Sequence, residues 1–507
     1  MLNRLFVIFG LLVILAIGGA FLVPRFIQWG DYRARLEAMA TETFGTDVAI
    51  TGDISLRLLP QPLLEFTGVR VGPSDSPTVS IEKVEAEFSL LDFLSDRYRV
   101  TRLELEQPVL RVGIAEDGTV ASTVTLAPQA EQSGVSIENA VLVGGRVEVV
   151  DARSEESHVA EGLSGELRLD SVRGPFSFSG SGTLQGAQHA IRISTGAVDE
   201  AGVATLSLYL QPTDRSFTLE STGTLQTGGA PRYTGELSYR RPPPRPAEGE
   251  IADAGQGDLL LEGKVEAATD RVLLSEYTLL PDENRAATRL LGAAELALGE
   301  AMSFNAVVSG SVIALPPRDA TKELTDPPYE LVRLLGETPL PPIPPIPGTI
   351  GLDIAELNLR GVSLRDLRVD ASTDAQTWTV ENFAASLPGD TRLGLTGQLS
   401  VVDEKPIFAG GMTVRTQQLD RLAALWRAPP PGNPLFNMQG SLEADVALSS
   451  DTLSLSAGTL LVAGINQGFD AAIGFGRTRE LRLEVHFTTL GQAESDAIAA
   501  LLPDFTR

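Results

Sequence analysis

The chain has 507 residues, a formal net charge of -26 and 43% hydrophobic residues. The acidity argues against a nucleic-acid partner, because a phosphate backbone would be repelled, while the apolar content is high enough to bury a large core. The absence of cysteine excludes disulfides and thiolate metal sites.

An uncharged apolar run opens the chain, from Leu5 to Val23. A helix rises about 1.5 Å per residue, so this run nearly spans a hydrocarbon core of about 30 Å. The alternative is a cleaved signal peptide, whose apolar part usually has only about 7–15 residues. The run therefore predicts a transmembrane anchor over residues 1–24, with the bulk of the chain outside the cytoplasm.

A short helix is predicted directly after the anchor. Asp31 is a suitable N-cap, and Gly45 a suitable end. Between them, one helix face carries Tyr32, Leu36, Met39 and Thr43. The pattern favours a helix packed on the edge of a sheet over a helix that senses the membrane surface.

Beyond Gly45 the dominant pattern is alternation of apolar and polar residues, which is typical of half-solvated antiparallel strands. Its apolar positions are the candidate lining of a groove, although each could equally belong to an ordinary core. These candidates are Val69, Val71, Leu206, Leu208, Leu210, Leu442, Val446, Leu481, Leu483 and Phe487.

The predicted fold is mainly β: an N-terminal transmembrane helix followed by an elongated, curved antiparallel sheet, either a groove or sandwich-like. A few short helices are expected, at Pro328–Gly336, Leu419–Trp426 and Gln492–Leu502. Many strands are expected to begin with Gly-x-apolar-x, as at Gly165, Gly223, Gly235 and Gly397. Glycine at such positions suits tight turns, bulges and strong sheet curvature.

Proline-rich runs suggest where domains meet. The run PLPPIPPIP, from Pro339 to Pro347, would form a stiff polyproline II segment. The predicted organisation is an anchor over 1–24, an N-terminal module over 25–115, a β-rich region over 116–338, a linker over 339–348 and a second β-rich region over 349–507.

Residues suited to catalysis are scarce. The three histidines, His158, His189 and His486, stand apart in the sequence, without partners at the spacing that a metal or a proton relay needs. Ser80 and Lys83 fit a Ser-x-x-Lys pattern, but they lie in an alternating strand without companion motifs. The sequence predicts no catalytic residue, no metal and no cofactor, and so a protein that is not an enzyme.

Two segments resemble the AsmA family of bacterial envelope proteins: WGDYRARLEAMATETFG followed by ITGDISLRLLPQPLLEFTGVRVG (Ile50–Gly72), and VEAEFSLLDFLSDRYRVTRLELEQPVLRV (Val84–Val112). The most specific part is Leu58–Pro60, Pro62-Leu63 and Val69-x-Val71. Gly174-Pro175-Phe176 and Leu387–Arg392 look similar to the middle region of the family. The resemblance implies an inner-membrane anchor, a periplasmic body and a curved β groove that takes part in phospholipid traffic and outer-membrane biogenesis.

Three functions are therefore weighed. The first is a groove that binds or conducts phospholipid, because a half-apolar sheet must bury its apolar face and helices are few. The second is a scaffold or assembly factor for periplasmic or outer-membrane proteins. The third, an enzyme on a β scaffold, would need a pocket with converging carboxylates.

Overall fold

The structure is a computed structural model. It describes residues 33–59, 61–73, 77–89, 99–121, 136–137, 139–154, 156–169, 174–243, 257–284, 288–315, 341–359, 362–402, 405–475, 479–486 and 491–502. The predicted anchor Leu5–Val23, the predicted helix Pro328–Gly336 and the candidate Phe487 lie outside these ranges. Within them, no helix has both the length and the apolar character needed to cross a membrane.

The chain divides into two compact units. Unit 1 comprises Met1–Pro242, Lys264–Val272 and Leu298–Ala301, and unit 2 comprises Pro243–Gly263, Leu273–Ala297 and Met302–Arg507. Residues 341–348 of the predicted linker belong to unit 2, and the predicted domain boundaries stay predictions.

Unit 1 contains helix α1 (Arg33–Phe44) and strands β1 to β15. The strands are β1 Val48–Ile50, β2 Ile54–Arg57, β3 Leu63–Val71, β4 Val79–Phe88, β5 Arg99–Glu106, β6 Val109–Ile114, β7 Val120–Ala121, β8 Ser136–Ile137, β9 Ala140–Asp151, β10 Glu156–Leu169, β11 Phe176–Leu184, β12 Ala187–Thr195, β13 Val203–Pro212, β14 Thr218–Gln226 and β15 Arg232–Arg241. Strands β16 Leu259–Ala268 and β17 Arg271–Leu280 each contribute residues to both units.

Unit 2 contains β18 to β28 and two short helices. The strands are β18 Leu290–Ala297, β19 Ser303–Leu315, β20 Gly348–Leu359, β21 Val362–Thr373, β22 Thr377–Leu387, β23 Thr391–Val402, β24 Lys405–Thr416, β25 Gly440–Leu448, β26 Thr452–Val462, β27 Ile465–Phe475 and β28 Arg479–His486. The helices are α2 Leu419–Ala423 and α3 Gln492–Leu501. Both confirm helices predicted from the sequence, as does α1.

Helix α1 covers the free edge of strand β1. Its Glu37 carboxylate accepts a hydrogen bond from the amide of Ile50 at 2.7 Å, and its Thr41 hydroxyl accepts one from Val48 at 3.1 Å. An uncovered edge would leave these amides as a template for pairing with another chain. The predicted packing of this helix on a sheet edge is confirmed, although Met39 is 54% exposed.

The sheet is mixed, so the prediction of a purely antiparallel sheet is wrong in this respect. From β9 to β15 each strand pairs antiparallel with the next, but β9 runs parallel to β5 and β6. In unit 2, β18 to β28 form another consecutive ladder, in which only β19 and β20 are parallel. Parallel neighbours need a long connection, and alternation in sequence carries no information about strand direction.

Two buried clusters hold the strands of unit 2 together. Leu290, Ile354, Leu364, Leu367 and Ala385 form one of them. A second contains Ala371, Trp378 and Leu399, and Ile343 from the predicted linker packs against it. The Trp378 indole also donates a hydrogen bond to the carbonyl oxygen of Pro342 at 3.0 Å. The described part of the proline-rich run is therefore docked on the sheet.

Candidate functional site

One face of the unit 1 sheet is apolar along its whole series of strands. Residues that pair directly across neighbouring strands point to the same face, so the strand registers can be followed from β2 to β15. One continuous row is Leu56, Leu64, Ala86, Leu103, Ala140, Leu167, Phe178, Ile193, Leu208, Ser221 and Leu237. A neighbouring row is Ile54, Phe66, Val84, Leu105, Leu142, Gly165, Gly180, Ile191, Leu210, Leu219 and Tyr239.

The opposite face of the same strands is polar. The row that alternates with the two apolar rows is Ser55, Glu65, Glu85, Glu104, Val141, Glu166, Ser179, Arg192, Tyr209, Glu220 and Ser238. Arg192 stacks on the ring of Tyr209, with its guanidinium carbon 4.0 Å from the ring centre. The sheet of unit 1 therefore separates hydrocarbon from charge on its two faces.

The apolar face of unit 1 is only partly covered by protein. Leu208 and Leu210 are half-buried, and Ile193 is 37% exposed. A closed core would bury such side chains almost completely. Ala86, Ala140 and Ile191 of the same rows are buried, so the part of this face that an apolar ligand can contact lies around Ile193, Leu208 and Leu210.

Unit 2 repeats the same division between its faces. One apolar row crosses β18 to β28 through Leu296, Phe304, Gly348, Thr373, Trp378, Leu399, Phe408, Leu448, Leu453, Ile473 and Leu481. Its neighbour is Ala294, Ala306, Ile350, Ala371, Val380, Gly397, Gly410, Val446, Leu455, Ala471 and Leu483. The alternating row on the other face is polar or small, from Glu295 and Asn305 through Gln398 to Arg482.

An apolar cavity of about 330 Å³ lies at one end of the unit 2 ladder. Strands β24 to β28 contribute side chains that include Leu442, Leu455, Phe469, Ile473, Leu481 and Leu483. Helices α2 and α3 and the residues just after them supply the facing wall, which includes Leu419, Leu422, Trp426, Ile498 and Leu501. Among the residues that the structure describes, no charged side chain lines this cavity, and the polar side chains that do are Thr416, Ser441 and Gln467.

A larger and more polar cavity of about 1060 Å³ lies at the strand ends of unit 1. Leu210 and Phe217 line it together with His158, His189 and Asp214. The His189 ring is 7% exposed, and its Nδ1 lies 2.8 Å from the carbonyl oxygen of Ala187. The backbone amide of Ser216 donates to Asp214 at 2.9 Å, and hydrogen bonding from Ser216 lowers the pKa of this carboxyl. The apolar face of unit 1 thus meets polar side chains at its rim.

The structure places most of the predicted groove residues on these apolar faces. Leu206, Leu208 and Leu210 share one face of β13, because Leu206 pairs with Gly223, Leu208 with Ser221 and Leu210 with Leu219. In unit 2, Leu442, Leu481 and Leu483 line the apolar cavity. Val446 pairs with Leu455 and is 6% exposed, so protein already covers it.

Val69 and Val71 have a different setting. They pair with Ile50 and Val48 of strand β1, whose other edge is bonded to helix α1. Neither lines the two cavities described above. Contact of any of these candidates with lipid stays a prediction.

Sequence reasoning did not assign the facing wall of the unit 2 cavity. Leu419–Trp426 and Gln492–Leu502 were predicted as short helices, but nothing in their sequence indicates that Trp426, Ile498 and Leu501 face the same strands. The sequence does show apolar residues at helical spacing in both segments, which predicts one apolar face on each helix but not what that face contacts. Bringing them together is a result of tertiary packing.

The described residues contain no group of three or more histidine, cysteine, aspartate or glutamate side chains placed to hold a metal ion. Ser80 and Lys83 both lie in strand β4. The Lys83 side chain pairs with carboxylates: its Nζ lies 2.5 Å from Glu85, 3.6 Å from Glu106 and 3.9 Å from Glu65. These contacts, with the Glu85 hydrogen bond first, raise the pKa of Lys83. A raised pKa keeps the amine protonated, which is the opposite of what a general base needs.

Comparison with known proteins adds one match. The model of the AsmA family matches residues 1–234. No curated protein and no solved structure matches the chain. The family match covers strands β1 to β14 and the beginning of β15. The segment Leu387–Arg392, which looks similar to the middle region of the family, lies beyond the matched residues.

Proposed function

Residues 1–234 are an AsmA-family region, which confirms the resemblance seen in their sequence, and from this premise we propose that the protein holds phospholipid hydrocarbon on the apolar faces of its sheet. AsmA is a family of the bacterial envelope. In this proposal the chain binds or conducts phospholipid between membranes and supports outer-membrane biogenesis. It has no catalytic role and no cofactor.

The observation that carries the proposal is the continuity of the apolar rows in unit 1. Each row crosses eleven strands, from β2 to β15 without β6 to β8. With about 4.8 Å between neighbouring strands, the rows extend for roughly 48 Å. One leaflet of a bilayer has a hydrocarbon thickness of roughly 15 Å, half of a core of about 30 Å. The rows are therefore longer than one acyl chain, and the part around Ile193, Leu208 and Leu210, which protein covers least, is where lipid would lie.

The energetic argument is that lipid replaces water on these faces. Transfer of apolar surface out of water stabilises a complex by about 25 cal/mol per Å². The half-buried leucines of β13 offer such surface, and so does Ile193. The polar opposite face and the charge of -26 keep the protein soluble beside membranes without making its apolar face less attractive to hydrocarbon.

The apolar run near the N-terminus and the family match support a proposal for the placement of the protein in the cell. We propose that Leu5–Val23 anchors the chain in the bacterial inner membrane as a single span, with the sheet in the periplasm. The proposed partners are the inner membrane, phospholipid, and outer-membrane or periplasmic proteins that accept or deliver it. No nucleic acid is involved.

The test uses two neighbouring residues on opposite faces of β13. Benzoylphenylalanine is placed at Leu208, on the apolar face, or at Ser207, on the polar face, of the full-length chain in growing cells. After irradiation, the purified protein is analysed for lipid adducts by mass spectrometry. We expect phospholipid adducts at position 208 and few or none at position 207.

The same experiment can overturn the proposal. An absence of lipid adducts at position 208, or equal yields at both positions, would contradict a groove on this face. Adducts to a protein at position 208 would instead favour the alternative of a periplasmic scaffold or assembly factor, in which the apolar face binds a protein partner.

A further inference from the structure

The cavity under helices α2 and α3 has a fixed wall. The indole Nε1 of Trp426 donates a hydrogen bond to the carbonyl oxygen of Leu501 at 2.8 Å. The guanidinium of Arg427 donates to the carbonyl oxygens of Ala499 and of Leu502, the second at 3.0 Å. The end of α3 is therefore tied to the segment that follows α2, so the two helices form one wall.

A buried cluster holds this wall against the strands. Leu435, Val462 and Ala497 are 1%, 0% and 0% exposed, and they pack together with Leu419. In addition, the amide of Leu419 donates to the carbonyl oxygen of Met438 at 2.8 Å. Because this cluster and the hydrogen bonds hold the helical wall against the strands, the space between them is a cavity that exists before any ligand enters.

The chemistry of the lining selects hydrocarbon and rejects a charged headgroup. No charged side chain of the described part of the chain lines the cavity. Thr416, one of its polar side chains, already donates to the carbonyl oxygen of Gly389 at 3.0 Å and accepts from the Thr391 hydroxyl at 2.8 Å. A phosphate or ammonium group placed here would lose its hydration without a charged partner, which is costly.

The size of the cavity limits the ligand to one chain. Its volume of about 330 Å³ is near the lower end of the roughly 300–1,000 Å³ typical of ligand pockets. An apolar cavity of about 150 Å³ already takes up benzene. Leu481 and Leu483 of the last described strand line the cavity and are each 36% exposed, so they mark its opening.

We infer that this cavity is a binding site for a single hydrocarbon chain of a lipid, which enters past β28 with its methyl end first and leaves the headgroup outside. The site lies beyond the residues that match the AsmA family. The inference rests on the proposed function and adds to it a site within unit 2, at which one acyl chain is held between the strands and the two helices.

Trp426 supplies a probe inside the cavity. The chain has three tryptophans, so the double variant Trp29→Phe, Trp378→Phe of the full-length protein fluoresces from Trp426 alone. Dibromostearate, a fatty acid that quenches tryptophan on contact, is titrated into this variant in a mild detergent. We expect saturable quenching. A fluorescence that dibromostearate leaves unchanged would overturn the inference.

Two neighbouring alanines provide the matched control. Ala471 lines the cavity and pairs with Leu483, while Ala472 is on the opposite face and pairs with Arg482. In the single-tryptophan protein, Ala471→Phe should fill the cavity and weaken the apparent affinity by about tenfold, equivalent to roughly 1.4 kcal/mol. Ala472→Phe should leave the affinity unchanged. Equal affinities in the two variants would contradict the inference.

A second variant covers the case in which Ala471→Phe does not fold. Leu483→Glu places a charge at the exposed opening, where it should be tolerated, and should weaken quenching to a similar degree. Unchanged quenching in a folded Leu483→Glu protein would also contradict the site. Crosslinking at Leu208 reports on unit 1 separately. Lipid adducts at Leu208 without quenching of Trp426 would reject the cavity site alone. Quenching of Trp426 without adducts at Leu208 would reject lipid binding on the apolar face of unit 1.

Discussion

Trp426 and Leu501, 75 residues apart in sequence, are joined by a hydrogen bond of 2.8 Å from the indole Nε1 to the main-chain carbonyl oxygen. The bond connects the segment after α2 to the end of α3. Nearby, Arg427 bonds to two further carbonyl oxygens at the end of the same helix. Since a helix leaves its last carbonyl groups without intrahelical partners, these side chains satisfy the carbonyl groups of Ala499 and Leu501 at the end of α3.

The variant Trp426→Phe should loosen α3. It removes one hydrogen bond, worth about 1 kcal/mol, together with part of the contact that the indole makes with the buried cluster. We expect a lower free energy of unfolding and faster amide exchange in Gln492–Leu501, measured by mass spectrometry. Trp378→Phe is the control, because it also loses one hydrogen bond, to Pro342 at 3.0 Å, but should leave exchange in α3 as it is. Equal exchange in both variants would contradict the role of Trp426.

A buried ion pair in unit 1 should make stability depend on acid pH. Arg153 donates to the Asp151 carboxylate from Nη2 at 2.6 Å and from Nε at 2.9 Å. These hydrogen bonds lower the pKa of Asp151 from 3.8 to about 2. A pKa depressed by folding stabilises the native state above the unfolded value, so this contribution is complete above about pH 4 and is lost as the pH falls to about 2.

Asp151→Asn should therefore destabilise the protein at neutral pH by about 2 kcal/mol, since hydrogen bonds to charged groups are the stronger ones. The difference from the unmodified protein should shrink between pH 4 and pH 2, as followed by denaturant unfolding. The control is Asp353→Asn, which breaks an exposed pair with Arg368 at 3.7 Å and should cost less than about 1 kcal/mol. A difference that stays constant with pH would contradict the assignment to Asp151.

Two adjacent glycines of β24 should respond differently to substitution. A Cβ on Gly410 would overlap the main-chain carbonyl oxygen of Thr396 on the neighbouring strand. A Cβ on Gly411 would lie 3.6 Å from the nearest atom, the Thr396 hydroxyl oxygen, which is an ordinary contact distance. Gly410→Ala should therefore destabilise unit 2 by about 1–3 kcal/mol through steric strain. Gly411→Ala should be nearly neutral. Equal thermal unfolding temperatures would show that the sheet relaxes around the new methyl group.

The carboxylates around Lys83 predict a dependence on salt. Glu65, Glu85 and Glu106 all lie within 3.9 Å of its amine. In Lys83→Met they would repel one another, and salt screens such repulsion. We expect a lower unfolding temperature that recovers partly as NaCl is raised. Arg415→Met, which breaks a single exposed pair with Glu443, should show a much smaller salt effect; a similar effect in both would argue against a shared cluster.

The glycine pattern shows where sequence reasoning stopped short. Gly165, Gly223 and Gly397 were expected at the starts of strands, but they lie inside β10, β14 and β23. Gly165 pairs with Gly180, and Gly397 pairs with Gly410. A Cβ at these positions would collide with the neighbouring strand. The need for glycine comes from the partner strand, which the local sequence does not reveal.

The sequence by itself determined the β class, the two-faced character of the strands, the short helices and the family of residues 1–234, because alternation, helical spacing and motifs are local properties of the chain. In the sequence, Leu208 and Leu483 are equivalent, because each is an apolar position in an alternating strand. Only the tertiary structure decided that Leu208 belongs to a row that crosses unit 1 and that Leu483 lines a cavity facing α2 and α3. Register, strand direction and the meeting of Trp426 with Leu501 depend on contacts between residues far apart in sequence, and alternation along one strand leaves those contacts undetermined.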